Sequence, residues 1–405
     1  MNIQVIITII DFLLWIIIAA NVMYVLFFAL ASHLPKKEHL PSSITHLPSS
    51  IIHHPSFLVL IPAYHEDAVI INTVKSFLQQ DYPKDLYQLC VISDHMEATT
   101  NEQLAALPIT LLQPAFDNSN KAKALQYAIS SISHQPSDIY DFVVILDADN
   151  IVAQNFLSQL NQIARPDIAI QCHRTAKNAN NDIAALDGPS EEINNSIFRR
   201  GHNRIGLSSA LIGSGMCFDY NWFKTNVAKL NTVVEDRELE SLLMKQGIYI
   251  HYAEDIQVLD EKVSNSDNFQ RQRLRWMTGQ VQAFFQMLPD IPMAIILGNI
   301  NYIDKTIQQA LIPRSILLVL TPTLCIIATL TSYIIHHTSY IYFLKWWCLF
   351  IAFCFALYFA IPMQMHRQPL FSKLMSLPAL VWKMLLNIIK IDHKNKEFIH
   401  TTHEK

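Results

Sequence analysis

The sequence predicts an α/β protein, with a mainly parallel sheet domain inserted between transmembrane helices, one N-terminal and two C-terminal, and interfacial helices beside them. Three observations lead there. Apolar stretches of membrane-spanning length stand towards both ends. Between them, short apolar runs alternate with helical patterns, as βαβ units do. Only 16% of residues are charged against 51% hydrophobic, well below the ~25% charge of an average soluble domain.

At 405 residues the chain has room for one large domain plus membrane segments. Its net charge of -4 gives no global attraction to nucleic acid, so no nucleic-acid partner is expected and an anionic ligand must be met by local basic residues. The six cysteines (Cys90, Cys172, Cys217, Cys325, Cys348, Cys354) contain no CxxC pair. That speaks against a zinc module or disulfide scaffold and suits a reducing cytosol.

A bilayer core asks for about 20 apolar residues. The first candidate span runs from Val5 to Ala31, interrupted by Asp11. It lacks a basic start and a cleavage site, so it reads as a retained anchor. The second runs from Ser315 to Ile335 and the third from Ile341 to Met363, with Lys345, Trp346 and Trp347 near one end as snorkelling and belt residues. Lys36 and Lys37 follow the first span, the connection His336–Tyr340 carries no Lys or Arg, and Arg367 and Lys373 follow the third. The positive-inside rule then puts the N-terminus outside and the middle region and C-terminus in the cytoplasm of a cell (inner) membrane protein. Asp11 lies near the outer end and reads as an interfacial acid, the alternative being a carboxylate that faces protein.

The expected organisation is an anchor over 1–31, a Pro-, Ser- and His-rich linker over 32–56, the α/β domain over 57–280, interfacial helices over 281–312, two spans over 313–365 and an amphipathic tail over 366–405. In the tail, Phe371–Ile389 reads as an interfacial helix. Within the domain, Phe57–Ile61 is a first strand stopped by Pro62, followed by a helix from about Glu66 to Gln80. Strands follow at Leu89–Ser93 and Ile109–Leu112, then a helix over Lys121–Ser131. A strand at Phe142–Leu146 runs into Asp147-Ala148-Asp149, and another lies at Ile168–Gln171. A long helix over Ser190–Gly206 precedes Leu211–Met216. Open α/β sheets bind ligands beyond the carboxyl ends of their strands, and Tyr64, Glu66, Asp94, Asp147 and Asp149 all follow such ends.

Three clusters carry chemistry. Asp147 and Asp149 flank one small residue at a strand terminus, where a period of two aims both carboxylates to one side. Such a pair suits a hard divalent ion such as Mg²⁺ or Mn²⁺, which keeps sites for water and phosphate, and suits a polar strand cap equally well. In the helix from Asn268 to Met287, Gln272, Arg275 and Trp276 share a face while Arg273 points elsewhere. This group fits a phosphate clamp beside a stacking platform, or a basic helix on lipid headgroups. Val234-Glu235-Asp236-Arg237 opens a helix closed by Gly247, where acids also favour the helix dipole.

Taken together and in order, these clusters resemble the membrane-bound family 2 glycosyltransferases, the group of the cellulose, chitin and hyaluronan synthases and exopolysaccharide enzymes. Pro62-Ala63-Tyr64-His65-Glu66 resembles that family's Pro-Ala-Tyr-Asn-Glu turn, and Asn120-Lys121-Ala122-Lys123-Ala124-Leu125 its Gly-Lys-x-x-Ala-Leu segment. Asp147-Ala148-Asp149 matches DxD, Glu235-Asp236 matches Thr-Glu-Asp, Gln272 to Trp276 matches QxxRW, and Gly213-Ser214-Gly215-Met216 resembles Gly-Thr-Gly-Met. His65, Asn120 and Val234 depart from the family pattern.

The resemblance implies a GT-A-type (Rossmann-like) domain and inverting transfer from a nucleotide-sugar donor, taken as UDP-linked, to a saccharide or lipid-linked acceptor at the membrane. It implies that Tyr64, Glu66, Asp94 and Lys121 contact the donor, that Asp147 and Asp149 bind Mg²⁺ or Mn²⁺, and that Gln272 and Arg275 contact the diphosphate. Asp236, beside Glu235, would be the general base. Trp276, Gly213, Ser214 and Gly215 would face the acceptor. Polysaccharide synthesis is the expected role, with a homo-oligomer or envelope export partners as company. Single-sugar transfer to a lipid and a non-catalytic sugar-nucleotide-binding subunit are the competing readings.

Overall fold

The computed structural model describes residues 3–36, 54–132, 140–177, 182–232, 234–261, 266–335, 341–362 and 365. Lys37, most of the linker, the His336–Tyr340 connection and the tail helix expected at Phe371–Ile389 lie outside the described residues.

Eight strands form one sheet: β1 (Phe57–Tyr64), β2 (Tyr87–Asp94), β3 (Thr110–Leu112), β4 (Phe142–Ile145), β5 (Ile151–Val152), β6 (Ile168–Ala176), β7 (Met216–Asp219) and β8 (Tyr249–Asp260). Their order is β3-β2-β1-β4-β7-β6-β8-β5. β1 pairs in parallel with β2 and β4, as do β2 with β3 and β6 with β8. β7 runs antiparallel between β4 and β6, and β5 runs antiparallel to β8.

The helices before the middle of the chain are α1 (Ile3–Ala31), α2 (Ile70–Phe77), α3 (Ala98–Ala105), α4 (Lys121–Ile132), α5 (Phe156–Ile163) and α6 (Asp182–Asn194), the last running into a π-helix at Asn195–Gly201. Then come α7 (His202–Arg204), α8 (Tyr220–Val227), α9 (Glu235–Lys245), α10 (Ser266–Met287), α11 (Ile291–Ile296), α12 (Ile300–Ala310), α13 (Arg314–Ile335) and α14 (Ile341–Ala360).

The central strand shows why this layering forms. Side chains of a strand alternate between the faces of the sheet. Phe57, Val59, Ile61 and Ala63 pack with α2 and α5 through Ile70, Val74, Phe77, Phe156 and Leu160. Leu58 and Leu60 pack on the opposite face with residues of α4, α8 and α9, among them Leu125, Phe223 and Leu239. A strand covered on both faces must be apolar at every position, and Phe57-Leu58-Val59-Leu60-Ile61 is.

The sequence-derived strands are all present, with β1, β2 and β6 extended further than expected. β5, β7, β8, α3, α5 and α8 were not anticipated. One continuous helix was expected over Ser190–Gly206. The chain instead begins helical structure at Asp182, passes Pro189 inside α6, and widens into the π-helix. The widening coincides with a close crossing, because a Cβ on Gly201 would stand 2.3 Å from the Phe28 carbonyl oxygen of α1.

Among the described residues three helices are long and apolar enough to cross a membrane, over Val5–Ala31, Arg314–Ile334 and Tyr342–Ala360. Ile18, Val22, Leu317, Phe353 and Ala356 are among the buried residues that pack them together. Asp11 is not the exposed interfacial acid of the sequence reading. It is ion-paired with Lys345 of α14, and Trp346 Nε1 donates to its Oδ1 at 3.0 Å. A carboxylate among apolar helices is tolerated when a partner on a neighbouring helix neutralises it, so it turns inward.

Candidate active site

The carboxyl ends of β1 and β2 form the first corner. Tyr64 and Asp94 are register partners in the parallel pair. Each strand ends on a histidine in the left-handed region, His65 at φ 54° and His95 at φ 55°. That conformation is uncommon for a residue with a Cβ and clusters at functional sites. The rings of Tyr64, His65 and His95 pack together with centroids 4.5–5.9 Å apart, and His95 Nδ1 lies 2.6 Å from Asp94 Oδ1.

The second corner is the turn after β4. The strand stops at Ile145, so Asp147 and Asp149 occupy a turn and strand alternation does not govern them. The Asp147 N–H donates to Asn150 Oδ1 at 3.0 Å, and the Asn150 N–H donates to the Asp147 carbonyl at 3.1 Å. The two carboxylates therefore meet different surroundings. Asp147 is partly exposed and ion-paired with Lys121. Asp149 is buried, accepting from Asn150 Nδ2 at 3.0 Å and from the Glu261 N–H at 3.1 Å. Burial, with Asp260, Asp147 and Glu66 adding like charge, pushes the Asp149 carboxyl well above the usual carboxylate range.

That excess of carboxylate oxygens is the donor chemistry a hard divalent ion takes. Among the described residues no three His, Cys, Asp or Glu side chains form a closed metal cage. Asp147 and Asp149 are oxygen donors of the kind such an ion takes, Asp147 paired with Lys121 and Asp149 bonded to Asn150 and the Glu261 N–H.

Lys121, at the start of α4, ties the turn after β4 to the Gly213 loop and to Glu235. Its Nζ reaches Asp147, donates to the Gly213 carbonyl at 2.6 Å and lies 3.6 Å from Glu235 Oε1. Burial alone would lower the Lys121 pKa, but Asp147 and Glu235 outweigh it and hold the ammonium form. Gly213 has φ +82°, and a Cβ there would stand 3.7 Å from Asp236 Oδ2 and 3.8 Å from Glu235 Oε1. A glycine at this positive φ lets the loop run past both acids without strain. Glu235 is buried, which together with Asp236 raises its carboxyl to about 7 despite Lys121. Asp236 is partly exposed beside it.

The two other acceptor-side expectations fall differently. Ser214 is fully buried with its hydroxyl bonded to Asn150. The Gly215 N–H donates to the Ile145 carbonyl at 2.9 Å, and its own carbonyl accepts from the Cys172 N–H at 2.7 Å. Both tie the loop to β4 and β6 and leave Gly213 as the member facing the acids.

Helix α10 packs against the start of α9. Gly279 lies directly on Val234, the residue before Glu235-Asp236, with an added Cβ only 2.4 Å from Val234 Cγ1. Gln272, Arg275 and Trp276 precede Gly279 by seven, four and three residues, so all three belong to the stripe that meets the start of α9. The sequence reading sent Arg273 elsewhere. Its guanidinium lies 4.8 Å from the Trp276 ring centroid and pairs with Asp187 of α6, because positions three apart also adjoin on a helix.

Sequence reasoning missed Arg174, Glu191, Asp260 and Asn150. Arg174 Nε donates to Glu191 Oε1 at 2.7 Å, and its Nη1 lies 3.9 Å from Asp147 Oδ2 and 3.8 Å from Asp260 Oδ1. The available signals were slight. Gln171-Cys172-His173-Arg174 is polar for a strand, and Glu191-Glu192 are adjacent acids on one helix.

The sheet order and its flanking helices are those of the GT-A-type fold. A solved structure titled mannosyltransferase PcManGT from Pyrobaculum calidifontis, in complex with GDP-Man and Mn²⁺, shares it at TM-score 0.50 and 16% identity, over 84% of this chain and 96% of that one. Staphylococcus aureus TarS residues 1–349 align over 57% of this chain and 65% of that one (13% identity, TM-score 0.38). Mycobacterium tuberculosis glucosyl-3-phosphoglycerate synthase with Mn²⁺, UDP and phosphoglyceric acid aligns over 53% and 73% (15% identity, TM-score 0.37). A search of curated proteins finds no match. Residues 54–279 match the family described as glycosyltransferase like family 2, and the chain belongs to that family.

Proposed function

We propose that this protein transfers a sugar, with inversion at the anomeric carbon, from a nucleotide diphosphate sugar to an acceptor hydroxyl on the cytoplasmic face of a membrane. The observation that carries this reading is the convergence of Lys121, Asp147, Gly213, Glu235 and Asp236 at the carboxyl ends of a parallel sheet. Residues 57–280 would form the catalytic unit, held by the three apolar helices with the N-terminus outside and the C-terminus inside.

In this reading, Tyr64, Asp94 and Glu66 bind the nucleoside end of the donor, and Lys121 and Arg275 bind the diphosphate, with Gln272 beside them. Asp147 and Asp149 would hold Mg²⁺ or Mn²⁺, which supplies positive charge against the departing diphosphate. Asp236 takes the proton of the acceptor hydroxyl as it attacks, and negative charge builds on the leaving group opposite. Preorganised cations there stabilise it without reorganisation. Glu235, bonded within the protein to Lys121, orients the lysine. Trp276 offers a stacking face to the acceptor. A saccharide acceptor in polysaccharide synthesis is the favoured case, and single transfer to a lipid fits the three apolar helices among the described residues.

The test is purification in detergent, then incubation with a panel of UDP- and GDP-linked sugars with and without Mn²⁺, measuring released nucleoside diphosphate. Asp236→Asn should keep donor binding and lose roughly 10²–10⁴-fold in transfer, the contribution typical of a positioned base. Near-normal turnover by that variant would remove Asp236 from the mechanism. Metal-dependent release from any donor excludes a non-catalytic subunit, and product sizing separates one added sugar from a ladder.

A further inference from the structure

Arg174 belongs to none of the motifs, yet its guanidinium stands inside the acidic pocket. Its side chain is 9% exposed. Glu191 holds the Nε edge at 2.7 Å, and Nη1 is within 3.5 Å of the Ile212 carbonyl, 3.8 Å of Asp260 Oδ1 and 3.9 Å of Asp147 Oδ2. Lys121 holds the other oxygen of Asp147, Oδ1. Asp147 is thus bracketed by a cation on each oxygen. The arginine is fixed from three sides, by its pairing in β6 with Val258 of β8, by Glu191 of α6, and by the loop before Gly213. A guanidinium in such a frame keeps its charge and its direction.

Two resident cations change what the pocket accepts. A divalent ion arriving alone meets Lys121 and Arg174 already on Asp147, and in a partly buried site like charges repel more strongly than in open water. A nucleoside diphosphate reverses the balance. Its anionic oxygens attract both basic side chains and bring further ligands for the ion.

We propose that Arg174 is a built-in counter-cation of the donor pocket that holds the divalent ion off Asp147 until a nucleoside diphosphate arrives, so that ion and donor load together. This rests on the sugar-nucleotide reading above. Arg174 acts here as a positioning residue, through Asp147.

The experiment measures Mn²⁺ binding to the full chain in detergent by electron paramagnetic resonance, alone and with UDP or GDP. The wild type should bind Mn²⁺ weakly alone and at least about tenfold more tightly with the diphosphate it accepts. Arg174→Gln should bind Mn²⁺ alone at least about tenfold more tightly than wild type, with the nucleotide increment reduced to match. Arg174→Lys, which keeps the charge, should stay near wild type.

The proposal is overturned if the Gln variant binds free Mn²⁺ no better than wild type, if the nucleotide increment survives intact, or if Gln and Lys behave alike. Should Arg174→Gln fail to fold, Glu191→Gln decides. Removing that anion leaves Arg174 more fully engaged with Asp147 and Asp260, so free Mn²⁺ should bind several-fold more weakly, and unchanged or tighter binding refutes the idea. Tight Mn²⁺ binding by the wild type without nucleotide sinks the counter-cation alone and leaves the transferase reading standing. Failure to bind UDP or GDP under any condition sinks the transferase reading itself.

Discussion

Gly279→Ala isolates the link between α10 and the acids at the start of α9. The added Cβ would stand 2.4 Å from Val234 Cγ1, 2.8 Å from Cγ2 and 3.0 Å from Cβ. Ordinary contact begins at 3.4 Å, so one side must retreat by 3.4 − 2.4 = 1.0 Å. Val234 is 7% exposed and β-branched, and rotating it exchanges one methyl for another, so the backbone before Glu235 has to move. Overpacking costs about 1–3 kcal/mol, and replacing a helical glycine by alanine returns about 1 kcal/mol. Folding stability should therefore fall by about 2 kcal/mol at most. A shift of about 1 Å in a reacting group costs on the order of 10²-fold in rate. The expected signature is a thermal transition lowered by a few degrees with turnover down about 100-fold, read as nucleoside diphosphate release from the donor the panel identifies. Val234→Ala in the same chain removes both offending methyls and should recover at least about tenfold. Gly279→Ala with wild-type turnover, or a double variant no faster than the single, would refute the argument that this contact positions Asp236.

Two further outcomes follow from the charges. Burial, reinforced by the Lys36 cation, lowers the His251 pKa from 6.5 to about 4. A depressed histidine contributes stability that is present above pH 6.5 and lost as pH falls towards 4, up to about 3 kcal/mol. Thermal unfolding in detergent should show this slope, and His251→Gln should flatten it. The Asp11–Lys345 pair predicts strong non-additivity. Asp11→Ala or Lys345→Met alone leaves an uncompensated charge and costs about 3–5 kcal/mol, whereas the double variant should cost much less than the sum. Additive losses in that cycle would mean the two side chains act separately.

What could be read from the sequence was local. Phe57–Ile61 declares a doubly covered strand in five consecutive letters, and Asp147-Ala148-Asp149 or Glu235-Asp236 carry their chemistry side by side. β8 escaped because Tyr249–Asp260 mixes histidine, glutamate and aspartate into its alternation, and its strand identity comes from pairing with β6 and β5 on either side. The helix expected over Ser190–Gly206 misses the π-helix for a similar reason, since only the approach of α1 to Gly201 reveals the crowding there. Arg174 and Asp260 were hidden because residues from β6, α6, the turn after β4 and β8 meet only once the sheet is assembled. The period-of-two argument for Asp147 and Asp149 failed at a strand end one residue earlier than supposed, so the two acids differ in burial where equivalence was expected.

The apolar helices also reach the site through a chain of buried polar contacts. Tyr24 Oη of α1 donates to Asp304 Oδ1 of α12 at 2.7 Å, and His202 Nε2 lies 3.2 Å from Asp304 Oδ2. Gln308 Nε2 donates to the same Oδ2 at 3.0 Å. Lys305 is fully buried, 3.8 Å from Asp304, and burial lowers its pKa against the opposing pull of Glu240 of α9 and Asp304. Glu240 Oε2 in turn accepts the Leu211 N–H at 2.8 Å, at the head of the loop that carries Gly213, while Arg237 bonds Gln309. Each buried polar group left without its partner costs roughly 1–3 kcal/mol. A displacement of α12 would break the Tyr24–Asp304 and Arg237–Gln309 bonds together, the second on the helix that holds Asp236. Buried polar contacts thus link α1 through α12 to the helix that opens with Glu235-Asp236.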